Sequence, residues 1–124
     1  MNGQTGAIRV EADGDIARVV IENAGRFNAL TVEMWGALNA EVRRLVAAGE
    51  ARAIVFAGAG ESFAAGADIS EFERERSNRA QVTHYHETHV RPTLDAILCA
   101  PMPTVAMIRG VCMGGGLEIA TMCD

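Results

Sequence analysis

Two glycine-rich segments and one glutamate are the residues whose types and spacing could do chemistry. The first segment is Phe63-Ala64-Ala65-Gly66-Ala67-Asp68-Ile69, and the second is Gly110-Val111-Cys112-Met113-Gly114-Gly115-Gly116-Leu117-Glu118. Small residues let a ligand approach the backbone closely, and the first N–H groups of a helix point outward as ready donors. Two such donors, one from each loop, can grip a single oxygen and stabilise negative charge on it. For either loop alone, a tight turn is the simpler explanation. Glu118 follows Gly115 by three residues, so on a helix the two share a face. Its neighbours Leu117, Ile119 and Ala120 give it the apolar flanks that suit a carboxylate trading protons. A first-turn glutamate favoured by the helix dipole accounts for it equally well. The residues by themselves leave both open.

Other chemical motifs fall short. There is no G-x-x-x-x-G-K phosphate loop, and Gly58-Ala59-Gly60 starts a dinucleotide fingerprint whose third glycine position holds Phe63. His86-Glu87-Thr88-His89 is one residue short of the zinc pattern and lacks a third ligand, so His84, His86 and His89 are expected to be solvated helix residues and no metal is expected. Cys99, Cys112 and Cys123 lie among apolar residues and read as small core side chains. Met34, Met107 and Met122 read as packing. The run from Glu71 to Arg76 reads as a solvated face or mobile loop.

The elements that must position the two loops follow from the hydrophobic periods. Residues 7–11 and 16–22 alternate apolar and polar around Ala12-Asp13-Gly14-Asp15, a hairpin signal. Thr31 reads as a helix N-cap. Val32, Trp35, Leu38, Val42, Leu45 and Val46 supply an apolar face that ends near Gly49. Residues 53–57 form a short buried strand leading into the first loop. Residues 70–99 become helical, with Val90, Leu94, Ile97 and Leu98 inward and Pro92 near a helix start or kink. TVAMI, residues 104–108, is expected as a second buried strand, and LEIATMCD as a helix cut off in the middle of its apolar pattern. Strands alternating with helical crossovers make the fold class α/β, and both loops fall at the carboxyl ends of strands, where ligands bind in such sheets. The sequence carries no internal repeat.

Composition sets the bounds. The chain has 124 residues with 49% hydrophobic and 22% charged, enough for one domain or part of one. Aromatics are 5%, so a core of Ala, Val, Ile, Leu and Met is expected. A net charge of −5 argues against a nucleic-acid partner. The odd cysteine count and the absence of a CxxC pair, a leader or an apolar span point to no disulfide scaffold, no membrane and a cytoplasmic protein.

With these residues in hand, a resemblance becomes specific. FAAGADISEF and PTVAMIRGVCMGGGLEIATMCD resemble the two signature segments of the crotonase (enoyl-CoA hydratase/isomerase) superfamily, and IENAGRFNALTVEMWGAL is similar to its first strand-to-helix junction, with Ala24 where the family often has proline. The resemblance implies a spiral of ββα units, incomplete at the C-terminus, with residues 1–124 as the N-terminal part. It also implies a homotrimer or dimer of trimers, and an acyl-CoA thioester as substrate with no separate cofactor. Ala67 and Gly115 would supply the two N–H donors to the thioester oxygen, and Glu118 would be one of two catalytic glutamates, the other lying beyond this chain. Substrate contacts would come from Ala29 and Leu30 along the pantetheine, Ala65 and Gly66 near the nucleotide, and Asp68, Ile69 and Gly114 around the loops, with Arg74 or Arg76 near CoA phosphates. The implied activity is hydration of 2-enoyl-CoA to 3-hydroxyacyl-CoA. Alternatives are isomerisation, dehalogenation or hydrolysis of an acyl-CoA, or a non-catalytic truncated paralogue.

Overall fold

The computed structural model describes residues 6–124, apart from the side chains at positions 72 and 73. β1 (Ala7–Asp13) and β2 (Ile16–Glu22) form the expected hairpin, closed by Gly14 and Asp15, with Val10 opposite Val19. β3 (Ala53–Gly58) and β4 (Thr104–Met107) then join in parallel, giving a four-stranded sheet in the order β1-β2-β3-β4. α1 (Val32–Ala48) lies between β2 and β3. Between β3 and β4 come a 3-10 turn (Ile69–Glu71), α2 (Phe72–Glu75), α3 (Arg79–Tyr85), a π turn (His86–Val90) and α4 (Arg91–Leu98), and α5 (Gly115–Met122) follows β4.

α1 starts where Thr31 accepts a hydrogen bond from the Met34 N–H at 3.1 Å and ends where the Gly49 N–H donates to Leu45 O. A second cap comes from far along the chain. The Glu71 carboxylate accepts from the Val32 N–H at 3.0 Å and is itself paired with Arg74. Burial pushes the Glu71 carboxyl up, with the Val32 N–H and Arg74 drawing it back down. Glu71 is therefore buried and not part of a solvated face, because it fastens the 3-10 turn to the helix N-terminus. The π turn precedes Pro92, and within it the Arg91 N–H reaches back five residues to His86 O. Proline has no N–H and crowds the carbonyl four residues back, so the widened turn lets α3 run on into α4.

One core cluster joins Ala17, Val19 and Ile21 of β2 and Ile54 and Phe56 of β3 to Trp35 and Leu38 of α1, Leu94 and Ile97 of α4, and Ile119 of α5. The three largest fully buried side chains are Trp35, Phe56 and Phe63. Apart from these and Tyr85, the cluster is Ala, Val, Ile, Leu and Met, as the composition leads one to expect, while Phe27 is exposed. Leu98 is exposed and Thr93 takes the inward place, its hydroxyl donating to Trp35 O and His89 O. β4 is not a buried strand. Thr104 and Ala106 face the helices, while Val105 and Met107 alternate onto a sheet face that no helix covers among the described residues. α5 stops at Met122, Cys123 turns extended, and the Asp124 carboxylate accepts from the Thr104 N–H at 3.0 Å, so the helix expected through residue 124 is shorter.

Behind the sheet the backbone repeats itself although the sequence does not. After β2, β3 and β4 the chain turns and passes through a residue that bridges its neighbour: Leu30 pairs with Ala67, and Ala64 pairs with Cys112, both in parallel. A helix follows each time. Strand, bridge, helix is the ββα unit of a spiral. Among the described residues no helix is long and apolar enough to cross a membrane.

Candidate functional site

The two loops meet through these bridges. The Leu30 N–H donates to Gly66 O at 2.7 Å and the Asp68 N–H donates to Leu30 O at 3.0 Å. In a parallel bridge the residue between two such bonds turns its own N–H the other way, so Ala67 offers its N–H away from Leu30. The Ala64 N–H donates to Val111 O and the Met113 N–H to Ala64 O, both at 3.0 Å, which fixes the second loop against the first. Only glycine fits at Gly66: its φ is +103, and a Cβ there would lie 3.2 Å from Met113 O. Gly115 opens α5, where an N–H has no carbonyl one turn back. Among the described residues neither the Ala67 nor the Gly115 N–H has a hydrogen-bond partner.

Both residues line one cavity of ≈ 200 Å³, and Glu118 lines it with them. Glu118 is half-buried, its N–H donates to Gly114 O at 2.9 Å, and its carboxylate has no partner among the described residues. Gly114 is also on the wall. The other expected contacts lie elsewhere. Leu30 and Ala29 are buried off the cavity, so what they can present to a ligand is backbone. Ala65 is half-buried and Gly66 buried at the loop junction, and Ile69 is 75% exposed. Asp68 turns into the protein, accepting from Ser70 N–H at 3.0 Å, Ser70 hydroxyl at 2.7 Å and Arg26 at 3.2 Å. Burial pushes its carboxyl up, but the Ser70 donors, Arg26 and Asn23 outweigh that and hold it below the ordinary carboxylate value.

The rest of the wall escaped the sequence reading. Trp35 contributes from α1, Val82 and Tyr85 from α3, and His86 and Val90 from the π turn. The Trp35 Nε1–H donates to the Tyr85 hydroxyl at 3.1 Å in the buried interior. Burial pushes the Tyr85 phenol up, against the pull of that Trp35 bond and of Arg76, so it stays a neutral donor. Arg76 completes the wall with its guanidinium over the Tyr85 ring, 5.2 Å from the centroid. The spacing of Val82, Tyr85, His86 and Val90 is that of one helix face and was the available signal. Arg76 and His86 thus belong to the cavity, not to a merely solvated surface, although His86 is exposed on its other side. Arg74 pairs with Glu71 and Glu75 instead.

Cys99 is exposed and not a core residue, while Cys112 and Cys123 are half-buried and pack against the core. Burial pushes both of the latter thiols up, Cys123 to about 11, which keeps them protonated.

Known proteins resemble this chain in sequence and in fold. The sequence model described as Enoyl-CoA hydratase/isomerase matches residues 11–124. A Rhodobacter capsulatus protein named "Probable enoyl-CoA hydratase" is 33% identical over 117 residues, which is 94% of this chain and 44% of that protein. The mitochondrial Delta(3,5)-Delta(2,4)-dienoyl-CoA isomerase of Homo sapiens is 26% identical over 121 residues, 91% of this chain and 37% of its own. The crystal structure of an enoyl-CoA hydratase/carnithine racemase from Magnetospirillum magneticum superposes with a TM-score of 0.90 at 38% identity, over 94% of this chain and 44% of that one. The chain therefore spans less than half the length of these relatives. Its fold is that of the crotonases, and the chain belongs to the enoyl-CoA hydratase/isomerase family.

Proposed function

We propose that the protein binds an acyl-CoA thioester and hydrates 2-enoyl-CoA to 3-hydroxyacyl-CoA. The observation that carries this reading is the meeting, on one cavity, of two N–H groups without partners and the half-buried Glu118 carboxylate. Water adds its oxygen to C3, the π electrons move through C2 onto the thioester oxygen, and collapse of that enolate takes a proton at C2. Ala67 and Gly115 N–H groups receive the oxyanion, and Glu118 holds the water and moves its proton. The reaction redistributes protons and needs no electron acceptor. The full-length protein should bleach the conjugated absorbance of a short 2-enoyl-CoA, and Glu118→Gln should cut the rate by about 100-fold or more. An unchanged rate would remove Glu118 from the chemistry.

A second reading, double-bond isomerisation, is favoured by the match to a dienoyl-CoA isomerase. Incubation with enoyl- and dienoyl-CoA in H2 18O separates the two, since only hydration adds labelled oxygen to the product. The proposal includes a homotrimer acting in the cytoplasm, which sedimentation of the full-length protein and its cell fractionation would check.

A further inference from the structure

Gly115 and Gly116 open α5, and neither has a positive φ, so glycine is there for space. A Cβ on Gly115 would stand 2.8 Å from Cζ2 of the Trp35 ring, and one on Gly116 would stand 2.8 Å from the Ala64 Cβ. The start of α5 therefore lies directly against Trp35 and the first loop, with no side chain between them to absorb a shift. Trp35 itself is held at two points that the proton chemistry above does not use. Its Nε1–H donates to the Tyr85 hydroxyl at 3.1 Å, and its carbonyl oxygen accepts from the Thr93 hydroxyl at 3.2 Å. Trp35 is 1% exposed and Thr93 0%. Satisfied polar contacts inside a core fix one arrangement where apolar packing alone tolerates several. The ring is thus pinned from α3 and α4, and α5 begins against it.

We propose that Trp35 is a positioning residue for the oxyanion donor. Through Gly115 it sets where that N–H and, one turn further on, the Glu118 carboxylate meet the cavity. The inference rests on the acyl-CoA reading above and adds a residue that acts on the donor and not on the substrate. A misplacement of about 1 Å at such a group costs roughly 100-fold in rate, so small freedom in the ring matters.

Two measurements on the full-length protein test this. Turnover of a short 2-enoyl-CoA gives kcat and KM. Infrared spectra with butanoyl-CoA, which cannot be hydrated, read the thioester carbonyl stretch that hydrogen-bond donors lower. Trp35→Phe removes the indole N–H and the outer ring. It should lower kcat by roughly tenfold or more, with KM and butanoyl-CoA affinity nearly unchanged, and return the stretch toward its value in free ligand. A raised KM with kcat and stretch kept overturns the inference, since Trp35 then only shapes the pocket. So does no change in any of them. If circular dichroism shows Trp35→Phe unfolded, Thr93 decides from outside the cavity. Thr93→Val should lower kcat and lose the shift, and Thr93→Ser should restore both. Unchanged values in Thr93→Val, or equal losses in the two variants, overturn it. If the wild-type protein turns over no enoyl-CoA, the hydration reading falls and the carbonyl stretch of the variants alone decides the inference. A wild-type protein that leaves the stretch at its free value overturns both.

Discussion

Asp68 shows how a residue in a glycine-rich loop can act through the fold. Its side chain is 5% exposed and its oxygen collects Ser70 and Arg26 while the adjacent Ala67 N–H stays on the cavity side. Because its folded value lies below the ordinary one, its contribution to stability is complete above the unfolded carboxylate value. That contribution is lost as pH falls through the folded value. Asp68→Asn should therefore be less stable than wild type at neutral pH, and the gap should close in acid. Urea midpoints measured from pH 7 downward check this. Glu118 and the two glycine loops were legible because their types and spacing are local. Tyr85 was not, since its place on the cavity depends on how α3 lies against Trp35, 50 residues away in the chain, and Arg76 was named only through the family resemblance.

At the scale of elements, punctuation near in sequence was readable and punctuation from afar was not. Thr31 and Gly49 mark both ends of α1 within one turn of it, and the structure has them there. Glu71 caps the same helix across 39 residues, and nothing in a charged run says which carboxylate will be buried. Thr31→Ala should cost about 1 kcal/mol in urea unfolding. A smaller loss would mean that Glu71 carries the helix N-terminus by itself. β4 is the element most misjudged. An apolar run such as TVAMI signals burial on two faces only if two layers exist to cover it, and that is a property of the surroundings, not of the run.

For the whole molecule, the strand–bridge–helix repeat was invisible in the sequence because each turn keeps the geometry with different residues. The family resemblance, and not any period, anticipated it. Among the described residues one face of the sheet is open at β4, where Val105 is 48% exposed. An uncovered apolar sheet edge invites pairing with another chain. Residues 1–124 produced alone should bind an apolar dye and associate as concentration rises, and Val105→Lys should reduce both. Light scattering of the two forms at matched concentration would show it. Equal scattering would place the sticky surface elsewhere.

Residues 1–124 hold one tryptophan, and Trp35 lies so close to Gly115 that a Cβ on that glycine would stand 2.8 Å from its ring. The indole is therefore the back wall of the site, with its N–H already committed to Tyr85. Within residues 1–124 its emission is a built-in optical reporter for this cavity. Titrating a saturated acyl-CoA should change that emission as ligand replaces water, giving an affinity without label or turnover. A silent indole, with binding proven by calorimetry, would mean that the ligand sits somewhere else.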